Sequence, residues 1–78
     1  METSVYIWFD YTKPSGSSSS KIAWCGTADI EKIKKAVNKI TANDMLEYQK
    51  TNFFKHDVEL SISIQNLKNS EVLYRRVV

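Results

Sequence analysis

The chain has one cysteine, one proline, one histidine and two glycines in 78 residues. A single cysteine, Cys25, excludes an internal disulfide. With the lone His56 it also leaves no thiolate or imidazole set at metal-ligand spacing, so no cofactor or metal is expected. No glycine-rich loop is present to cradle phosphates. The apolar run near the start ends at Phe9 before Asp10, too short for a membrane span or a signal core. Glu2 stands where a signal peptide carries positive charge. A soluble chain is therefore expected, with no conventional export signal and no membrane partner. Charge of one sign is lacking too: eleven Lys and Arg against nine Asp and Glu leave +2, too little to require nucleic acid.

What remains is ordinary globular material, 42% hydrophobic and 26% charged. The length suits one domain, residues 1–78, although a chain this short buries only about 60% of its unfolded surface. "SVYIWFDYT" at 4–12 is rich in β-branched and aromatic residues and predicts a strand, with Val5, Ile7 and Phe9 on one face and Tyr6 and Trp8 on the other. "KPSGSSSS" at 13–20 predicts a long, mobile hairpin loop. "KIAWCG" follows as a second strand, with Ile22 and Trp24 sharing a face. Ile30, Ile33, Val37 and Ile40 then fall on one helical stripe. Thr27 or Asp29 is placed to cap that helix, and its lysines lie on the solvent side.

"ANDM" at 42–45 breaks the helical pattern. "MLEYQK" predicts a short third strand, with Leu46 and Tyr48 inward and Glu47 outward. "TNFFKHD" predicts a turn-rich connection, "VELSISIQ" at 58–65 alternates as a strand, and "EVLYRRVV" closes the chain as another. Phe9, Trp24 and Tyr48 are expected in the core. His56 beside Asp57 lacks a nucleophile that can be placed near it. Cys25, just before the helix, is expected half-buried and inert. No catalytic residue is named, and no enzyme is expected.

A β-hairpin, one amphipathic helix and then further strands is the layout of a β-grasp. Here it resembles the ubiquitin-like branch. "ADIEKIKKAV" resembles the family's helix opening, and "SIQNLKNSEVLYRRVV" its ending of polar turn, lysine-containing loop and last strand. The resemblance spans about Val5 to Val78. It implies an α+β fold with one helix on a mixed four- or five-stranded sheet. The last strand would pair beside the first at the centre, which would make it structurally safe for the sequence to stop at Val78. The family's conjugated members continue into a flexible tail ending in two glycines, so this chain is not expected to be a conjugated modifier. "DVEL…NSEVLYRRV" further resembles the N-terminal header domains of Crinkler-type effectors, modules that precede larger C-terminal domains. That resemblance implies a trafficking or protein-contact header of a longer protein, secreted and then inside host cells.

Ubiquitin's aliphatic patch is not carried over. Its third-strand position falls on Glu47 and its last-strand position on Arg75, which are expected to face each other across neighbouring strands as an opposite-charge pair. The rest of the outer sheet face holds Tyr6, Trp8, Ala23, Cys25 and Leu73, and exposed Tyr and Trp mark binding hot spots. The expected contact residues are therefore Tyr6, Trp8, Leu73, Glu47 and Arg75, taking a protein partner or a second copy in a homodimer. Two alternatives from other classes stand beside this. One is a free-standing small inhibitor that blocks a target by surface contact. The other is a nucleic-acid module using the helix lysines, Arg75 and Arg76, which the small net charge disfavours.

Overall fold

The alternation beginning at Val5 builds β1, Glu2–Thr12, in a computed structural model that describes residues 2–49 and 58–78. Val5, Ile7, Phe9 and Tyr11 are all buried, as a half-buried strand of period two requires. β2, Ser18–Asp29, returns antiparallel beside it. Two helices follow, α1 at Ile30–Asn38 and α2 at Ala42–Gln49. The chain ends with β3, Glu59–Asn66, and β4, Val72–Val77. The four strands form one sheet in the order β2-β1-β3-β4, and every neighbouring pair is antiparallel. This is an α+β domain with both helices inserted between β2 and β3.

The order differs from that of a β-grasp. β1 and β4 do not pair: β3 lies between them, so the last strand forms an edge and not the centre. The sheet is not mixed, and there are two helices instead of one. Side chains on both faces of β3 account for its place. Ile62 and Ile64 stand opposite Phe9 and Ile7 over the core, while Ser63 and Ser61 donate to the Asp10 carboxylate at 3.2 and 3.5 Å. The clean alternation of "VELSISIQ" is thus a full strand, central enough that even Ser61 is buried. Among the described residues β4 has a strand neighbour on one side only, with the Val78 N–H donating to the Leu60 carbonyl at 2.9 Å.

The segment expected as a third strand is helix α2. Thr41 and Asp44 form a reciprocal cap at its start: the Asp44 N–H donates to Thr41 Oγ1 at 3.2 Å, and the Thr41 N–H donates to Asp44 Oδ2 at 2.9 Å. Met45 is fully buried, and Ala42 and Leu46 pack beside it at spacings of three and one. Two phenols tie α2 to the sheet. Tyr11 donates to the Met45 carbonyl at 2.6 Å, and Tyr48 donates to the Ile22 carbonyl at 2.8 Å while meeting Phe9 edge-on at 5.2 Å.

α1 is capped at its start by Asp29, whose carboxylate accepts from the Glu31 N–H at 2.9 Å. At its other end Arg76 reaches over from β4. It donates to the carbonyls of Val37 at 2.7 Å and Ile40 at 2.8 Å, adding a charged donor where intrahelical donors run short. Ile33 and Val37 are buried against the sheet, completing a core with Val5, Ile7, Phe9, Tyr11, Met45, Val58, Leu60, Ile62 and Ile64.

The serine-rich loop is shorter than its composition suggests. Only residues 13–17 turn, closed by Lys13 N–H to Ser17 O at 2.8 Å, with Gly16 at φ +93° where a side chain would be strained. Ser18, Ser19 and Ser20 pair with Thr12, Tyr11 and Asp10 as part of β2. Ser20 also donates to Asp10 at 2.6 Å, so β1 templates a strand that serine alone does not favour.

Candidate protein-contact face

Helices α1 and α2 both lie on the side of Val5, Ile7 and Phe9, so among the described residues no helix covers the other side of the sheet. On β1 that open face carries Tyr6, Trp8 and Asp10, each paired across to both neighbours. Tyr6 stands between Cys25 and Gln65, Trp8 between Ile22 and Ser63, and Asp10 between Ser20 and Ser61. β4 adds Val72 opposite Gln65, Arg75 opposite Ser63 and Val77 opposite Ser61. The rings of Tyr6 and Trp8 are 5.9 Å apart and tilted by 55°.

Beside the aromatic pair the face turns polar. Asp10 accepts three hydroxyls, from Ser20, Ser63 and Ser61, and Arg75 donates to Ser61 Oγ at 3.4 Å. Trp8, Asp10, Ser20, Ser63, Gln65 and Val72 line a shallow depression of about 310 Å³. The buried Trp8 indole N–H has no acceptor among the described residues. Ile22, Val72 and Val77 are 43%, 55% and 58% exposed, so the aromatic centre has an apolar rim.

Three of the five expected contact residues, Tyr6, Trp8 and Arg75, come together on this face. Glu47 does not: it is an exposed residue of α2, so the expected Glu47–Arg75 cross-strand pair is absent because there is no strand to carry Glu47. Leu73 and Ala23 also leave the face. Each sits at a break in strand register, one between Ile64 and Gln65 of β3 and the other between Ile7 and Trp8 of β1, and both side chains pack against the core. The bulge at Ala23 separates Ile22 from Trp24, which had been expected to share a face. Trp24 pairs with Ile7 and Ile22 with Trp8, on opposite sides.

Trp24 and Tyr48 are not core residues either. They are 43% and 44% exposed, since Trp24 sits on an edge strand and Tyr48 at the margin of α2. Cys25 is exposed on β2, separated from α1 by the residues from Gly26 to Asp29. His56 and Asp57, like Phe53 and Phe54, lie outside the described residues.

Basic side chains expected to offer a nucleic-acid surface are partly engaged within the domain. Arg76 caps α1, and Lys34 lies 3.8 Å from Glu31 and over the Tyr74 ring. Burial, with the nearby Tyr48, pushes the Tyr11 phenol up to about 12. The helix-start carboxylates Asp29 and Asp44 are held below the usual range, chiefly by backbone N–H donors at Glu31 and Thr41 respectively. Among the described residues no group of three His, Cys, Asp or Glu side chains could hold a metal ion, and no helix is long and apolar enough to cross a membrane. Comparison with protein-family models, with curated proteins and with solved structures finds no match to this chain.

Proposed function

We propose that this domain is a non-catalytic protein-binding module and that the open sheet face around Tyr6 and Trp8 is its contact surface. The observation that carries this is an aromatic pair at the middle of a sheet face that neither helix covers, ringed by exposed Ile22, Val72 and Val77. Interfaces place aromatic anchors at a desolvated centre and polar groups around it, and Asp10, Ser63, Gln65 and Arg75 supply the polar surround. The partner is a protein or a second copy of this chain. The narrower role of effector header rests on the likeness of segments in the sequence, and the sheet order does not add to it.

Site-specific photo-crosslinkers at positions 6 and 8, compared with one at Lys13 in the hairpin turn, test the proposal in the source cells. Discrete adducts from positions 6 and 8, absent from position 13 and abolished by Val72→Glu, are the expected result. Adducts of equal yield from all three positions would sink it. Sedimentation of the purified chain separates the two kinds of partner, since a homodimer dissociates in the Trp8→Ala variant. Loss of adducts at high salt would instead point to phosphate contacts.

A further inference from the structure

On the opposite side of the sheet, the groove between edge strand β2 and helix α1 has features that the open face lacks. It is a cavity of about 280 Å³ lined almost wholly by apolar surface from Ile7, Trp24, Ala28, Ile33 and Ala36, with Lys32 at its rim. Trp24 forms one wall by folding along its own strand. A side chain at Gly26 would come within 2.9 Å of the indole, so glycine there permits the pose. β2 pairs only with β1, so among the described residues its other edge faces no strand. An edge strand directs alternate N–H and C=O groups outward, where an added strand can pair with them. Tyr48 occupies the Ile22 carbonyl, which leaves the stretch from Trp24 to Ala28 beside the groove.

We propose that this groove binds an extended peptide segment of a partner protein. The segment adds as a fifth strand to β2, sets one aliphatic side chain among Ile7, Ala28 and Ile33, and carries acidic residues alongside it. Charge decides the occupant. Lys35 on α1 and Lys39 at its C-cap follow Lys32 at spacings of three and seven, which puts all three along the same side of the helix. Glu31 pairs with Lys34 on the side facing Tyr74, away from the groove, and the nearby Asp29 accepts from the helix N-terminus. A second copy joined edge to edge would bring two Lys32 rims together, so a copy of this chain is the wrong occupant. Main-chain pairing supplies affinity in this mode and the pocket supplies selectivity.

Titration of the 15N-labelled chain with the peptide acetyl-EDLTLTLDE-amide, and with its basic counterpart acetyl-KKLTLTLKK-amide, tests the proposal by NMR. The acidic peptide should give saturable shifts at the Trp24–Ala28 amides, the Trp24 indole and Lys32–Ala36, with slowed exchange at alternate β2 amides. The basic peptide should bind at least about fivefold more weakly, the effect of roughly one partly screened charge pair. Ala36→Arg fills the groove while adding a positive charge on an exposed helix position, and should abolish binding of the acidic peptide without changing the fold. Lys32→Glu should remove the charge preference. Absence of saturable shifts at about 1 mM peptide, equal binding of both peptides, or shifts centred on Tyr6 and Trp8 would each overturn the proposal. So would binding undiminished in Ala36→Arg, or β2 shifts that depend on protein concentration alone.

Discussion

Arg76 holds the end of the chain to the end of helix α1, and its removal gives the sharpest test of how the sheet and helices are joined. Its guanidinium donates to two carbonyls at the end of α1, Val37 in the last turn at 2.7 Å and Ile40 just past the C-cap at 2.8 Å. Val37 O keeps other partners, the N–H groups of Lys39 and Ile40, when the arginine is lost. Ile40 O relies more on the arginine, and the cation also complements the negative end of the helix dipole. A hydrogen bond to a charged group is worth about 1.5–3 kcal/mol net. Because Val37 O is already shared and the site is partly exposed, Arg76→Met should cost about 2 kcal/mol, close to the value of a single such bond. Both bonds leave the same Nη1, so Arg76→Lys, which keeps the charge and three N–H donors on a shorter side chain, should cost about half as much.

Urea unfolding followed by far-ultraviolet circular dichroism measures this directly. Arg76→Met should lower the midpoint at unchanged slope and reduce Tm by roughly 8–16 °C for a domain of this size. A loss within about 0.5 kcal/mol of zero, the usual range for a neutral surface substitution, would refute the capping role and return Arg76 to the solvated basic surface. A changed slope would mean that the substitution alters the extent of the folded unit.

Other consequences are as direct. Ile62→Ala, at a fully buried site on a central strand, should cost about 2–5 kcal/mol in the same assay. Tyr11→Phe removes a buried 2.6 Å bond to the Met45 carbonyl and should cost about 1 kcal/mol, with exchange protection lost first in α2. Because the folded state raises the Tyr11 pKa from 10.0 to about 12, the wild-type chain should lose stability as pH rises across that interval, and Tyr11→Phe should flatten the loss. Asp29 and Asp44 have depressed folded-state pKa values, so their contribution is present above the unfolded carboxylate pKa and disappears as pH falls through the lower folded values. Asp44→Asn should weaken this acid dependence, read as midpoint against pH.

Period-two and helical patterns in the sequence by themselves determined β1, β3, β4, α1 and the inward set of Val5, Ile7, Phe9, Ile33, Val37, Ile62 and Ile64. These patterns are local, because burial of one face imposes them residue by residue. They also placed Tyr6 and Trp8 opposite the core. α2 was legible in principle from Thr41 and Asp44 as a cap, yet Leu46 and Tyr48 alternate over so few residues that a strand fitted equally well.

Tertiary structure alone decided the strand order and the two register breaks. Strand neighbours are chosen by long-range complementarity, here Ser61 and Ser63 against Asp10 on one face and Ile62 and Ile64 against Phe9 and Ile7 on the other, and no local pattern encodes that choice. A single extra residue at Ala23 then reverses which face each later side chain of β2 meets. That reversal puts Trp24 beside α1 and Ile22 on the open face, so the membership of both surfaces depends on pairing that the chain's linear pattern does not contain.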